Sequence, residues 1–240
     1  MRKGVLRKIY LKKLLSVSGF KVWIVNGKYI RDNIDKEFTN YGQYYQFRFI
    51  PKDEFWIDKE RNPGEEKYFI ESMFVMNRLI LKGVEIKDAA KVADRIEKRE
   101  RSKSKLMKQE VKIKKNKGNL LETVYKNLLK KYSFENLKVW IVNGELVRDL
   151  FFLDFTEGGH DKVYNFIPKN EIWIDDDLGL AERKFVFLHE LHERNLMSKG
   201  MDYDNAHKSS SKIEYYCRKH PNKLDKCLRK EFKKAKKIII

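Results

Sequence analysis

Residues 188–194 read Leu-His-Glu-Leu-His-Glu-Arg, the densest run of chemically capable side chains in the chain. On a helix, positions i and i+4 share a face, so His189 and Glu193 project together and can hold one divalent ion. His207 follows beyond Gly200, and a turn there can return it over that face from the next helix. Two ligands from one helix and a third from its neighbour leave an open position for water, the layout of a hydrolytic zinc site. Glu190 sits beside His189 but off the ligand row, as a general base acting on that water should. His192, at i+3 from His189, is an alternative ligand. Glu214 lies seven residues after His207 and is either a fourth ligand or the structural partner of an Arg or Lys. A dinuclear centre bridged by Glu190 and Glu193 also fits the spacing.

These residues lie in the second of two similar stretches. Lys21-Val-Trp-Ile-Val-Asn-Gly27 recurs letter for letter as Lys138-Val-Trp-Ile-Val-Asn-Gly144, an offset of 117. The same offset carries Phe49-Ile-Pro-Lys52 onto Phe166-Ile-Pro-Lys169 and Trp56-Ile-Asp58 onto Trp173-Ile-Asp175. It holds without a gap from residue 21 to 97, a period far too long for a solenoid. Opposite His189, Glu190, His192, Glu193 and His207 the first copy has Ser72, Met73, Val75, Met76 and Ala90. Fold-forming letters persist while the ion-binding set is absent. Glu214 differs, because its counterpart Glu97 is retained, which favours the structural role.

Each copy must position its side chains with the same elements. Lys138 to Val142 is β-rich and ends in Asn-Gly, a hairpin signal leading to a short strand through Val147 or, in the first copy, Ile30. Residues 164–167 and 171–175 read as further strands around a Pro-Lys-Asn turn. From Ala181 to Lys199 there is no Pro or Gly, and Phe185, Leu188, Leu191 and Leu196 have helical spacing, with Gly200 as the stop. Asp202 or Asp204 caps a second helix running toward Cys217. The expected architecture is α+β, a tandem duplication of a small antiparallel sheet followed by a helical hairpin. The domain plan is a basic N-terminal helix over 1–20, a first unit over 21–97 and a basic linker with an amphipathic helix over 98–136. A second unit over 137–218 and a cationic, solvated helical tail over 219–240 complete it.

Glu171-Ile-Trp-Ile-Asp175 followed by Glu182-Arg-Lys-Phe-Val-Phe-Leu-His-Glu-Leu191 resembles the edge strand and active-site helix of zincin metallopeptidases. The resemblance covers about residues 171–214, with Glu193 where the usual His-Glu-x-x-His motif has its second histidine. It implies zinc, peptide-bond hydrolysis, and β-addition of a peptide or protein substrate along 171–175. A Glu ligand also suits manganese or iron.

Composition bounds the alternatives. The chain has 240 residues, 42% of them hydrophobic, with 4 Pro and 12 Gly, so it builds real cores. Two cysteines exclude a disulfide scaffold. Cys217, His220 and Cys227 could suggest a second zinc, but Cys-x-x-His with one distant Cys favours reduced, packed thiols, and His160 lies in a turn-like Thr-Glu-Gly-Gly-His stretch. Trp23, Trp56, Trp140 and Trp173 match between copies, as packing residues would. No run is long enough for a membrane span and the N-terminus lacks a signal-peptide core, so a cytoplasmic protein is expected. The net charge of +18, concentrated at 98–117 and in the tail, supports a second reading. In it the chain is a nucleic-acid-binding or assembly protein whose metal is structural.

Overall fold

The computed structural model describes residues 8–61, 63–104, 120–134 and 136–238. The chain forms two compact units, Met1–Asn119 with Arg148–Leu153, and Leu120–Val147 with Asp154–Ile240. The first contains β1 (Tyr10–Val17), β2 (Phe20–Val25), α1 (Gly27–Asn33), β3 (Tyr41–Gln43), β4 (Glu54–Asp58), α2 (Glu66–Leu81) and α3 (Ile86–Arg101). The next elements are β5 (Tyr125–Leu128), β6 (Lys138–Val142), α4 (Gly144–Leu150), β7 (Gly158–His160) and β8 (Glu171–Asp175). Then come α5 (Leu180–Met197), α6 (Tyr203–Lys219) and α7 (Leu224–Ile238). The fold is α+β and duplicated: two four-stranded sheets, each followed by a helical hairpin, with a further helix, α7, after the second.

The sheets are mixed where wholly antiparallel ones were expected. Their orders are β1-β2-β4-β3 and β5-β6-β8-β7, and the central pairs β2/β4 and β6/β8 run parallel. The cause lies at Asn-Gly. Asn26 Oδ1 accepts from the Tyr29 N–H at 3.1 Å and Asn143 Oδ1 from Leu146 at 3.0 Å, so each Asn caps a helix instead of turning a hairpin. A Cβ at Gly27 or Gly144 would collide with the Asp58 or Asp175 carboxylate. The helix carries the chain across the sheet, and the next long strand re-enters parallel.

Three other expectations change. Residues 1–7 of the expected N-terminal helix lie outside the described residues, and Tyr10–Val17 is a strand that pairs antiparallel with β2, whose backbone groups it satisfies. The amphipathic helix expected before the second unit is instead a short 3₁₀ turn and strand β5, which pairs with β6 in the same way. Tyr164–Ile167 forms turns whose N–H groups return to His160 and Tyr164 carbonyls, and the strand is Gly158–His160. Residues 105–119 of the expected linker lie outside the described residues, and α3 already covers 98–101.

Strand β8, Glu-Ile-Trp-Ile-Asp, is buried throughout because it lies between β6 and β7. It is therefore a central strand, and the edge beside α5 is β7. Ile172, Ile174, Phe185, Leu188, Leu191 and Leu228 are among the residues of one apolar core under this sheet. The C-terminal helix is less solvated than expected, since Leu224, Leu228, Glu231 and Ala235 face that core. Trp56 and Trp173 are fully buried, as packing residues should be. No helix among the described residues is long and apolar enough to cross a membrane.

Candidate metal centre

Helix α5 has two working faces. Phe185, Leu188 and Leu191 enter the core, while His189 and Glu193, one turn apart, meet α6 and β7. Gly200 takes φ +90°, a conformation that costs a residue with a side chain, and reverses the chain. Asp202 Oδ1 then accepts from the Asn205 N–H at 3.0 Å and starts α6. The antiparallel return brings His207 back over His189.

Three donor atoms converge. His189 Nε2 lies 3.2 Å from His207 Nδ1 and 3.5 Å from Glu193 Oε2, and the last two are 2.9 Å apart. Ligands at about 2.0–2.1 Å from a tetrahedral zinc stand roughly 3.3–3.4 Å from one another. The triangle is the size of one face of such a site. Its chemistry fits as well, with two imidazoles and a carboxylate meeting where a cation relieves their mutual repulsion.

The surrounding hydrogen bonds orient this face. His189 Nδ1 lies 2.8 Å from Glu214 Oε2, and donation there leaves Nε2 as a lone-pair donor toward the cluster. Glu214 Oε1 accepts from Arg218 Nε at 2.8 Å, and Arg218 also reaches Glu182 at 2.8 Å. The first unit keeps this chain without the histidine: Arg101 bonds Glu97 at 2.9 Å and Glu65 at 2.8 Å. Glu214 therefore lies outside the three-atom cluster, as a structural partner recruited to hold His189. Burial pushes the Glu214 carboxyl up, but His189 and Arg218 outweigh it and bring it down to about 2. Burial also disfavours a charged His189, yet hydrogen bonds with Glu193 and Glu214 raise it well above the usual histidine value. The site attracts positive charge.

His160, dismissed on sequence as a turn residue, is fully buried on β7 with Nε2 3.1 Å from Glu193 Oε1. The Lys162 N–H donates to its Nδ1 at 3.2 Å, which places the proton on Nε2, facing Glu193. Burial lowers its pKa and keeps it neutral. Glu193 thus has one oxygen fixed by His160 and the other turned to His189 and His207. Although burial opposes its charge, these three histidines hold the Glu193 carboxyl well below the usual range. The signal available in sequence was Gln43, which stands opposite His160 in the first copy.

Glu190 lines a cavity of about 110 Å3 with Gly158, Tyr164, His189, Glu193, Tyr203 and His207 on its walls. Burial and the nearby Glu193 charge push its carboxyl up to about 8. Burial, then the negative charge of Glu190, likewise raises the Tyr164 hydroxyl. His160, Glu190 and Glu193 form a second close group that shares the Glu193 carboxylate with the first. His192 is not part of either. Its Nε2 is 3.0 Å from Ser209 Oγ and its Nδ1 3.1 Å from Glu231, on the side facing α7. Cys217, His220 and Cys227 form no metal-ready group among the described residues. Cys217 is buried, its thiol pushed up to about 12 by burial and neighbouring Cys227, and His220 bonds the Tyr216 carbonyl.

The first unit fills the same place. Tyr41 stands where the second has Gly158; its ring stacks on Phe69 and its hydroxyl lies 3.4 Å from both Ser72 and Glu97. Those are the counterparts of His189 and Glu214. At Gly158 even a Cβ would come within 3.0 Å of the Trp173 carbonyl oxygen and Val186 Cγ1. Searches against protein-family models, curated proteins and solved structures find no match to this chain.

Proposed function

We propose that the C-terminal unit is a metal-dependent hydrolase of the zincin-like kind that cleaves peptide bonds, with zinc as its metal and manganese or iron as chemically acceptable substitutes. The observation that carries the reading is the triangle of His189 Nε2, His207 Nδ1 and Glu193 Oε2 beside the half-buried carboxyl of Glu190. A divalent ion held by these three atoms supplies Lewis-acid polarisation and lowers the pKa of water. Glu190 takes the proton from the attacking water and returns it to the leaving amine; its raised affinity for a proton suits both transfers. His160 and Glu214 hold the ligands in register.

A peptide substrate is favoured by β7. Among the described residues it pairs with β8 on one side only, and its Gly158 also lines the cavity, so an extended chain adding along the outer side would lie at the reacting groups. This moves the substrate strand expected at 171–175 to 158–160. The hydroxyl-bearing Tyr164 and Tyr203 line the same cavity, where a developing oxyanion would need donors. A cytoplasmic setting accords with two unpaired cysteines.

Metal content of purified wild type, His189→Ala and Glu193→Ala provides the test. One equivalent in the wild type and loss in both variants is expected, and equal content in all three would defeat the proposal. Glu190→Gln should keep its metal and lose about 10²–10⁴-fold in peptide hydrolysis.

A further inference from the structure

Helix α7 follows the part of the second unit that the 117-residue repeat matches, and the residues at its offset in the first unit lie almost wholly outside the described residues. Its inward face is committed: Leu224, Leu228, Glu231 and Ala235 are buried, and Phe232 stacks on Tyr132 and Phe187. Its outward face is cationic. Lys226, Lys230, Lys233 and Lys237 are exposed at steps of four, three and four residues, with exposed Arg229 beside them, spanning about 16 Å at 1.5 Å per residue. Asp225 is engaged by Lys184, and Glu231 by His192, Asn195 and Lys234, so neither neutralises that row.

Within residues 120–240 the charge is local. Residues 120–220 carry 15 Lys+Arg against 17 Asp+Glu, whereas residues 221–240 carry 8 against 2. The body that holds the candidate centre is nearly balanced, and the helix that follows it is not. We infer that the outward face of α7 docks on the phosphate backbone of duplex DNA.

The composition of the helix favours that occupant over two others. An anionic membrane is gripped by a basic helix that also inserts an apolar face, and the apolar face of α7 is already used in the core. Single-stranded nucleic acid is held by stacking of bases on aromatic rings, and α7 presents no outward aromatic. What remains is a straight row of cations on a helix fixed from below, suited to the regular phosphates of a duplex and indifferent to its sequence. This inference does not depend on the metal centre.

The test uses the full chain, a mixed-sequence duplex of about 20 bp, the matching single strand, and vesicles of phosphatidylserine and phosphatidylcholine, between about 50 and 200 mM salt. Wild-type protein should bind the duplex more tightly than either other probe. In the variant carrying K226Q, R229Q, K230Q and K233Q the duplex affinity at low salt should fall at least about tenfold. The slope of log affinity on log salt should flatten by about 3–4, near 0.9 per lost phosphate contact. Metal content should be unchanged. In wild-type protein, without any substitution, duplex should protect Lys226, Lys230 and Lys233 from acetylation. The inference is overturned by unchanged affinity and slope in the variant, by tighter binding to vesicles or single strand, or by absence of protection at those lysines.

Discussion

At the scale of residues, the centre depends on how little freedom Glu193 has. One of its oxygens is bonded to a neutral, buried histidine and the other faces two more, so rotation would break contacts on both sides. His160→Gln tests that arrangement with a residue the fold already accepts at the matched position, Gln43. Gln cannot reproduce the imidazole's Nε2–H and Nδ1 pair, and metal affinity should fall about 10–100-fold, the usual cost of losing an outer partner. Competition with a chromogenic chelator would measure it, with the melting point of the chelated protein as control. An unchanged affinity would mean that Glu193 is held by packing alone. His189, Glu190, Glu193 and His207 were legible in sequence because helical spacing fixes which side chains meet, and because a second copy lacked all four. His160 was not. Its contact with Glu193 crosses from strand to helix over 33 residues, and local sequence carries no trace of such a meeting beyond the Gln at 43.

At the scale of elements, α7 is fastened to α5 by a buried carboxylate. Burial pushes Glu231 up, but hydrogen bonds from His192, Lys234 and Asn195 outweigh it and bring its pKa down to about 2. The folded value lies below the unfolded one, near 4.3, so the stabilisation is complete above that value and is lost as pH falls toward about 2. The difference corresponds to roughly 3 kcal/mol. Urea midpoints measured from neutral pH to about pH 2 should fall across that window in the wild type, and Glu231→Gln should lower the neutral value and flatten the acid limb. The helices themselves were readable, since 3.6-residue periodicity and a glycine stop survive in any context. The strands were harder. Asn-Gly suits a hairpin turn and a helix cap equally, and only the collision that a Cβ at Gly144 would make with Asp175 decides between them. Gly158-Gly159 lacks every side-chain mark of a strand, because that edge is shaped to leave room for Val186, Glu190 and Tyr164.

At the scale of the whole molecule, one scaffold exists twice in a single chain, once with the His189–Glu193–His207 cluster and once with Tyr41 lying across the equivalent position. A phenol ring that already satisfies Ser72 and stacks on Phe69 leaves no donor triangle to complete. Titration should therefore saturate at one equivalent of metal per chain, not two. Chelation should lower the thermal transition of the C-terminal unit alone, by an amount that grows with the logarithm of free metal over its dissociation constant. Calorimetry with and without chelator would show this as one displaced component and one stationary component. The stationary half then acts as a built-in reference thermometer: any solvent, pH or crowding effect common to both copies cancels in the gap between the two melting events, and what is left reports the ion.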